Sequence, residues 1–251
     1  MRKVANVNQL KVGDVIIYKY YKISHEGVVT NVTKLNEDDC QCMLGIIHYG
    51  TETIFSRRTI REDMKQFNLS RDSVYVKKFD EENEPDTVVQ RARSRLGEQR
   101  HDIFDNSSSD FVKWAKVGMQ PIKPAHDERL MVYNVYSWYD LVSGSIIEFS
   151  YYGIDHQGIL TEFNPQDAQT ISITVIHYGT PSLFGTRTIM EETRSINLKN
   201  TSLKIFRCKD GFHPKEPDEV IRKAKQRAGE QLWRAGNRSW DFCLRCLFGK
   251  N

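Results

Sequence analysis

The stretch DNSSSDFVKWAKVG, residues 105–118, places serines where a helix is predicted to begin. A serine in that position has two ordinary roles. Its hydroxyl can accept a hydrogen bond from a backbone N–H of the first turn and so cap the helix. It can also act as a nucleophile, provided that a base within hydrogen-bond reach takes its proton during the attack. Ser108 is therefore the first candidate for chemistry, with a helix cap as its alternative role.

The other reactive side chains are five cysteines: Cys40, Cys42, Cys208, Cys243 and Cys246. An odd number, in a chain that opens without the apolar segment of a secretory signal, favours reduced thiols over a disulfide framework. The spacings CQC and CLRC could together supply four thiolates to zinc. The simpler interpretation is a pair on a hairpin and a pair on a helix, so we expect no metal and no cofactor.

The sequence repeats itself. GIIHYGTETIFSRRTIRED returns as TVIHYGTPSLFGTRTIMEE. Three pairs of anchors keep nearly the same separation along the chain: His48 with His177, Pro85 with Pro217, and Phe111 with Phe242. A near-constant offset indicates a tandem duplication. We predict one unit over residues 8–118, a linker with two prolines over 119–138, and a second unit over 139–249.

Both units follow one order of predicted elements. Each opens with a turn and a strand, KVGDVIIYKYY or LVSGSIIEFSYY, with Gly13 or Gly144 in the turn. Two more strands, around HEGVVTNV or HQGILTEF and around the HYG motif, complete an antiparallel meander. Two helices follow, the first with proline and an aspartate cap at its start and the second closed by Gly118 or Gly249. Strands followed by segregated helices predict an α+β fold.

This succession resembles the domain of the lecithin retinol acyltransferase (LRAT) family over nearly the whole of both units. The resemblance rests on GDVI in the first strand, histidine-x-glycine in the second, IIHYG or VIHYG in the third, and RARSRLGEQ leading into NSSSDFVKW. It implies two tandem domains with a circularly permuted papain-like fold. It also implies acyl transfer from a glycerophospholipid through a thioester, by a histidine, a second histidine and a cysteine in that chain order.

Carried onto this chain, the family's site falls on His25, His48 and Ser108 in the first unit and on His156, His177 and Ser239 in the second. The nucleophile motif covers residues 106–111 and 237–242, so serine stands at the cysteine position in both units. The acid and histidine that follow in the family read Ser109–Asp110 and Trp240–Asp241 here. Cys243 comes one helical turn after Ser239, and we expect it to be a core residue because free thiols are among the most buried side chains.

Serine at the cysteine position changes the expected chemistry. A thiol at a helix N-terminus beside an imidazole is stored as a thiolate, whereas a hydroxyl has no comparable resting anion. Loss of an essential nucleophile lowers the rate by factors of about 10⁴ to 10⁶. We therefore expect a pseudoenzyme that binds a lipid or an acyl group, such as a glycerophospholipid or a fatty acid.

Two alternatives stay open. One is an active acyltransferase or phospholipase that pairs Ser108 with His25, or Ser239 with His156. The other is a structural scaffold in which the histidines are satisfied core residues, as single histidines in strands usually are.

The net charge and the two ends of the sequence limit which binding partners and which cellular location we expect. The net charge of +3 comes from 36 basic and 33 acidic residues mixed along the chain, which favours neither nucleic acid nor an anionic membrane. Neither a signal peptide nor a transmembrane run is visible, and the chain closes on CLRCLFGKN without a hydrophobic anchor. We expect a cytoplasmic protein with at most peripheral membrane contact, for example through Phe248. The aromatic run YNVYSWYD is predicted to pack the two units together.

Overall fold

The structure is a computed structural model that describes residues 1–37, 39–51, 57–101, 106–180, 186–231 and 239–249. The chain divides into two compact units, unit one (Met1–Gly118) and unit two (Met119–Asn251). Within the described ranges, each unit has one antiparallel sheet and two helices. The predicted α+β class is confirmed in both.

Unit one contains strands β1 (Arg2–Lys3), β2 (Val15–Tyr20), β3 (Ile23–Lys34), β4 (Gln41–Gly50), β5 (Thr59–Asn68) and β6 (Tyr75–Lys77), followed by helices α1 (Pro85–Arg93) and α2 (Ser108–Val117). A single 3-10 turn, Val7–Gln9, precedes β2. The strand order across the sheet is β1-β6-β2-β3-β4-β5, so the predicted meander β2-β3-β4 is confirmed. Helix α2 packs against β3 and α1, which places its first turn beside the centre of the sheet.

Unit two contains strands β7 (Pro121–Pro124), β8 (Leu130–Asn134), β9 (Ile146–Tyr151), β10 (Ile154–Pro165), β11 (Thr170–Gly179), β12 (Thr188–Asn197) and β13 (Lys204–Cys208), followed by helices α3 (Pro217–Gln226) and α4 (Ser239–Phe248). A 3-10 turn, Trp138–Asp140, lies between β8 and β9. The strand order is β12-β11-β10-β9-β13-β8-β7. It repeats the order of unit one, with β7 as an additional edge strand.

The segment 119–138, which the sequence predicts to be a linker, instead contributes β7 and β8 to the sheet of unit two. Leu130 and Val132 alternate with more exposed neighbours along β8, which is the pattern of a half-buried strand. The two prolines bracket β7 at the sheet edge, where a missing N–H is tolerated. The aromatic run that follows also belongs to this unit, because Tyr133 and Trp138 pack against its own core.

Helix starts differ from the prediction in one respect. Pro85 and Pro217 occupy the first helical turn as expected, but Asp86 lies inside that turn and is not the cap. The cap position of α1 is Glu84, whose side chain makes no capping hydrogen bond. Asp86 instead places a negative charge at the positive end of the helix dipole. Gly13 occupies the predicted turn with a φ of 84°, and a Cβ there would come within 2.8 Å of the Pro85 Cα.

β5 and β12 were not predicted, because charged residues hide their alternation. In β5, the sequence TIREDMKQFN alternates partly buried and exposed side chains along the free edge of the sheet. Charged side chains on an edge strand discourage pairing with other chains. These two strands carry acidic residues of the candidate site.

Candidate functional site

Two histidines on neighbouring strands form the centre of the site in each unit. The pairs are His25 on β3 with His48 on β4, and His156 on β10 with His177 on β11. In both pairs the ring centroids are 5.0 Å apart. The structure therefore brings together the histidines that the family resemblance had singled out.

The glycine of each histidine-x-glycine motif makes this approach feasible. Gly158 lies directly across from His177 in the register of β10 and β11. A Cβ on Gly158 would lie 3.0 Å from the His177 Cβ, and one on Gly27 would lie 3.1 Å from the His48 Cβ. Glycine at this position lets the backbone approach the second histidine closely. The glycine of the motif is therefore explained by the close packing of the two strands, independently of any reaction.

In unit one the two imidazoles are joined to a carboxylate. His25 Nε2 lies 2.9 Å from His48 Nδ1, and His48 Nε2 lies 3.1 Å from Asp63 Oδ2. An ionised carboxylate only accepts hydrogen bonds, so His48 donates from Nε2 and accepts at Nδ1. His25 must then donate from Nε2, which leaves a lone pair on its Nδ1. The acid therefore fixes the tautomers of both rings.

Asp63 was missed by the sequence analysis, as was its counterpart Glu192. Both carboxylates lie on the unpredicted edge strands, and their separation along the chain equals that of the second histidines, His48 and His177. That shared offset was the available signal. Burial alone would raise the pKa of Asp63, but hydrogen bonds from His48 and from Arg61, at 2.7 Å, hold it below its ordinary value.

All four histidines are neutral at ordinary pH. His48 and His177 are fully buried, and His25 and His156 are 6% exposed. Burial lowers the pKa of His25 and of His156 to about 3, with a further contribution from the neighbouring histidine in each pair. It lowers the pKa of His48 and of His177 to about 4. Each ring is therefore an uncharged hydrogen-bonding group and a weak base.

The helix that follows the serine run in unit one is capped by Ser107 and not by Ser108. The Ser107 hydroxyl accepts from the Asp110 backbone N–H, and the Asp110 carboxylate accepts from the Ser107 N–H at 2.9 Å. This is a capping box. Ser108 is the first helical residue, so its predicted role as a cap is wrong. Its hydroxyl is buried, and it has no hydrogen-bond partner within the described part of the chain.

In unit two the serine does reach a histidine. Ser239 begins α4, is 5% exposed, and places its Oγ 3.5 Å from His156 Nδ1. This is the ring nitrogen that carries the lone pair in the tautomer assigned above for unit one. Asn237, the start of the nucleophile motif here, lies outside the described residues. Cys243 is fully buried, as expected, and burial raises the pKa of its thiol well above the ordinary value.

The connection between histidines differs in unit two. His177 Nε2 lies 3.1 Å from Glu192 Oε2, which matches the contact of His48 with Asp63. Among the described residues, however, no hydrogen bond joins His156 Nε2 to His177 Nδ1. The carboxylate therefore orients His177 but is not linked through it to His156. Unit one has the complete histidine–histidine–acid chain, whereas unit two has the serine–histidine contact.

A buried polar network fixes the segment before α2. Asn106 donates to the Tyr49 hydroxyl and to Glu98 Oε1, both at 2.9 Å, and accepts from Arg95 at 2.8 Å. Arg95 also pairs with Glu98 at 2.7 Å, and both side chains are almost fully buried. In unit two Arg227 and Glu230 form the corresponding pair. In unit one, the RxGE part of the sequence motif therefore anchors Asn106, which lies just ahead of the serine.

A cavity of about 800 Å³ opens at the serine–histidine contact of unit two. Its lining includes His156, Ser239, Val132, Ile154, Phe206 and Trp240. The Phe206 and Trp240 rings pack together with their centroids 4.9 Å apart. The volume lies in the usual range for small-molecule sites, which combine apolar walls with a few polar groups. Charged side chains such as Lys123, Glu148 and Asp155 line this cavity as well.

Metal binding receives no support from the part of the chain that the structure describes. It contains no group of three or more histidine, cysteine or acidic residues that could hold an ion. Cys40 and Cys42 belong to unit one, and the remaining cysteines to unit two. None of the described helices is long and apolar enough to cross a membrane.

Comparisons with known proteins return no match, either to a family model, to a curated protein or to a solved structure. The LRAT likeness therefore stays a prediction that rests on the sequence motifs.

Proposed function

We propose that this protein is a catalytically degenerate tandem LRAT-like protein, and that unit two binds an acyl-bearing ligand such as a fatty acid or a glycerophospholipid. The observation that carries the proposal is the cavity of unit two, because apolar side chains line it together with the Ser239–His156 pair. In this proposal the protein acts in the cytoplasm, at most peripherally to membranes.

The cavity suits a ligand with an apolar chain and a polar head. Phe206 and Trp240 offer apolar surface for the chain, at about 25 cal/mol for each Å² removed from water. At the polar end, the Ser239 hydroxyl and a neutral imidazole can hydrogen-bond a carbonyl or carboxylate oxygen. Lysine, arginine and aspartate side chains also line the cavity, which suits a zwitterionic headgroup as well as a carboxylate.

Three features favour binding over turnover. Serine has no resting anion at the position of the family's thiolate. A histidine whose pKa is lowered to about 3 takes up a proton poorly. The acid that would orient it is not connected to it, since the link between His156 and His177 is missing among the described residues. Together they leave a polar pocket with a weak base.

Serine-dependent acyl transfer is the second candidate function, and one observation favours it. Ser239 Oγ lies 3.5 Å from the ring nitrogen that can accept its proton. A contact of this length in a free enzyme is compatible with a shorter one in a substrate complex. Acylation of Ser239 by a phospholipid would establish this alternative.

Fluorescence quenching by a brominated fatty acid tests the proposed function, because bromine quenches tryptophan only near contact. Titration with ω-bromoundecanoate is expected to lower the fluorescence in a saturable way, through Trp240. The Trp240→Phe variant should lose this quenching. The matched control is Trp138→Phe, which removes a tryptophan packed against the core of the same unit and should retain it.

Competition by unbrominated undecanoate should restore the fluorescence. Equal quenching in Trp240→Phe and in the native protein would contradict the proposed site. A complete lack of quenching in the native protein would contradict the proposed function.

A further inference from the structure

The surroundings of the helix start differ between the units at three equivalent positions. In unit one these positions hold Lys77, Glu26 and Ser109, here called the polar clamp. In unit two they hold Phe206, Gln157 and Trp240, here called the apolar wall.

The equivalence follows from the repeat and from strand pairing. Glu26 and Ser109 precede Gln157 and Trp240 by the same offset along the chain. Lys77 pairs with Val15 in unit one, and Phe206 pairs with Ile146 in unit two. Ile146 follows Val15 by that same offset, so Lys77 corresponds to Phe206.

The polar clamp ties two strands to the first turn of α2. Lys77 Nζ lies 3.0 Å and 2.9 Å from the two carboxylate oxygens of Glu26, and it donates to Ser109 Oγ at 3.0 Å. The side chains of Lys77 and Glu26 are 26% and 17% exposed. An apolar ligand placed here would cover a charged pair and remove it from water. Burying charges in this way is unfavourable unless new hydrogen bonds replace the water.

None of the three residues of the apolar wall is charged, and the nearby ion pair, Glu148 with Lys204 at 2.7 Å, lies beside the wall and not within it. Phe206 packs on Trp240, and Gln157 turns to Glu148, to which it donates at 2.8 Å. All three residues of the wall line the 800 Å³ cavity. The difference is a coordinated exchange of an ion pair and a small hydroxyl for two aromatic rings and a neutral amide.

We propose that these three positions confine the apolar ligand to unit two, with the polar clamp closing the equivalent place in unit one. The inference rests on the proposed function and adds the specificity determinant to it. The duplicated units have thus diverged, and one of them carries the binding site while the other is locked by its own ion pair.

Native mass spectrometry with dodecanoate tests the inference through the number of bound molecules. The native protein is expected to bind one. Installing the clamp in unit two, with Phe206→Lys, Gln157→Glu and Trp240→Ser together, should reduce binding at least tenfold and leave no occupied site. Phe206→Leu is the matched control, since it keeps an apolar side chain, and it should still bind one molecule.

Each result separates the inference from the proposed function. A native protein that binds nothing contradicts the proposed function itself. Two bound molecules, or undiminished binding in the clamp variant, would leave the function standing and overturn the inference. Circular dichroism checks that the triple variant folds. If it does not, the double variant Phe206→Lys, Gln157→Glu takes its place, and the same loss of binding is expected.

Discussion

Ser239 Oγ lies 3.5 Å from His156 Nδ1, whereas its counterpart Ser108 has no hydrogen-bond partner within the described ranges. The two units therefore hold equivalent histidines and serines in different hydrogen-bonding states. Unit one joins both histidines to an acid, and unit two joins the first histidine to the serine. The effect of each contact on the free energy of unfolding can be measured by hydrogen-exchange mass spectrometry during urea unfolding, because this method reports the stability of each unit separately.

Asp63 holds the histidine pair of unit one in a single tautomeric state. In the native protein, His25 and His48 should both carry their proton on Nε2, as nitrogen chemical shifts of labelled histidine would show. Asp63→Ala should abolish this fixed state and destabilise unit one by about 1–3 kcal/mol, because the buried His48 N–H loses its acceptor. Asp80→Ala, which removes an exposed acid in the same unit, is the control. Unchanged histidine tautomers in Asp63→Ala would contradict the assigned role.

Tyr18 carries a buried hydroxyl that has no partner in the described part of the chain. The equivalent residue in unit two is Phe149, and both rings pack edge-on against the first histidine. Tyr18→Phe should therefore leave unit one as stable as before or stabilise it by about 1 kcal/mol. Tyr49→Phe is the contrasting variant and should destabilise the unit, because its hydroxyl donates to Glu98 at 2.7 Å. A clear loss of stability in Tyr18→Phe would reveal a partner for that hydroxyl.

Stability should fall as the pH is lowered below about 6.5. Each histidine has its pKa lowered from 6.5 to about 3 or 4 by burial, so the unfolded chain binds protons that the folded chain does not. The stabilisation is fully present above pH 6.5 and is lost progressively toward the folded pKa. Each histidine contributes a slope of at most about 1.4 kcal/mol per pH unit. Between pH 6.5 and 4.5 the histidines cause this loss of stability, because carboxylates are protonated mainly at lower pH.

Urea unfolding at several pH values between 7 and 5 measures this slope. His156→Phe should flatten it for unit two, because the buried imidazole that resists protonation is then absent. Identical slopes in His156→Phe and in the native protein would mean that His156 is not held neutral by the fold.

The Arg95–Glu98 pair is expected to be essential for the stability of unit one. Burial would raise the pKa of Glu98, but Arg95 and Arg100 lower it to about 2, so the buried carboxylate is charged. Arg95→Met leaves this charge without its main partner and should destabilise the unit by about 3–5 kcal/mol. Arg93→Met, which removes an exposed partner of Glu62, should change the stability by less than about 1 kcal/mol. Similar effects of the two variants would contradict this assignment.

Several parts of the fold and of the site could be predicted from the sequence, since local patterns determine them. The repeated HYG and histidine-x-glycine strands identified the histidine pairs, and turn glycines and prolines marked the element boundaries. β5 and β12 were missed because charged residues at a sheet edge obscure the alternation. Asp63 and Glu192 were missed together with these strands, because strand pairing alone brings them next to the histidines. β7 was hidden by its two prolines, which an edge strand tolerates, and β8 was assigned to the same linker.

The role of Ser108 could not be predicted for a different reason. Three consecutive serines offer three candidate caps, and only the backbone decides which hydroxyl faces the free N–H groups. The structure gives that position to Ser107. The cavity of unit two was likewise invisible, because it depends on how Phe206 and Trp240 meet from distant parts of the chain.

The central claim is that unit two binds an acyl-bearing ligand without turning it over. Incubation of the native protein with dioctanoylphosphatidylcholine, followed by mass spectrometry under native and then denaturing conditions, tests it most directly. We predict a bound lipid mass under native conditions that disappears on denaturation. An octanoyl mass that survives denaturation and maps to the peptide containing Ser239 would contradict the claim and establish a serine-dependent acyltransferase site.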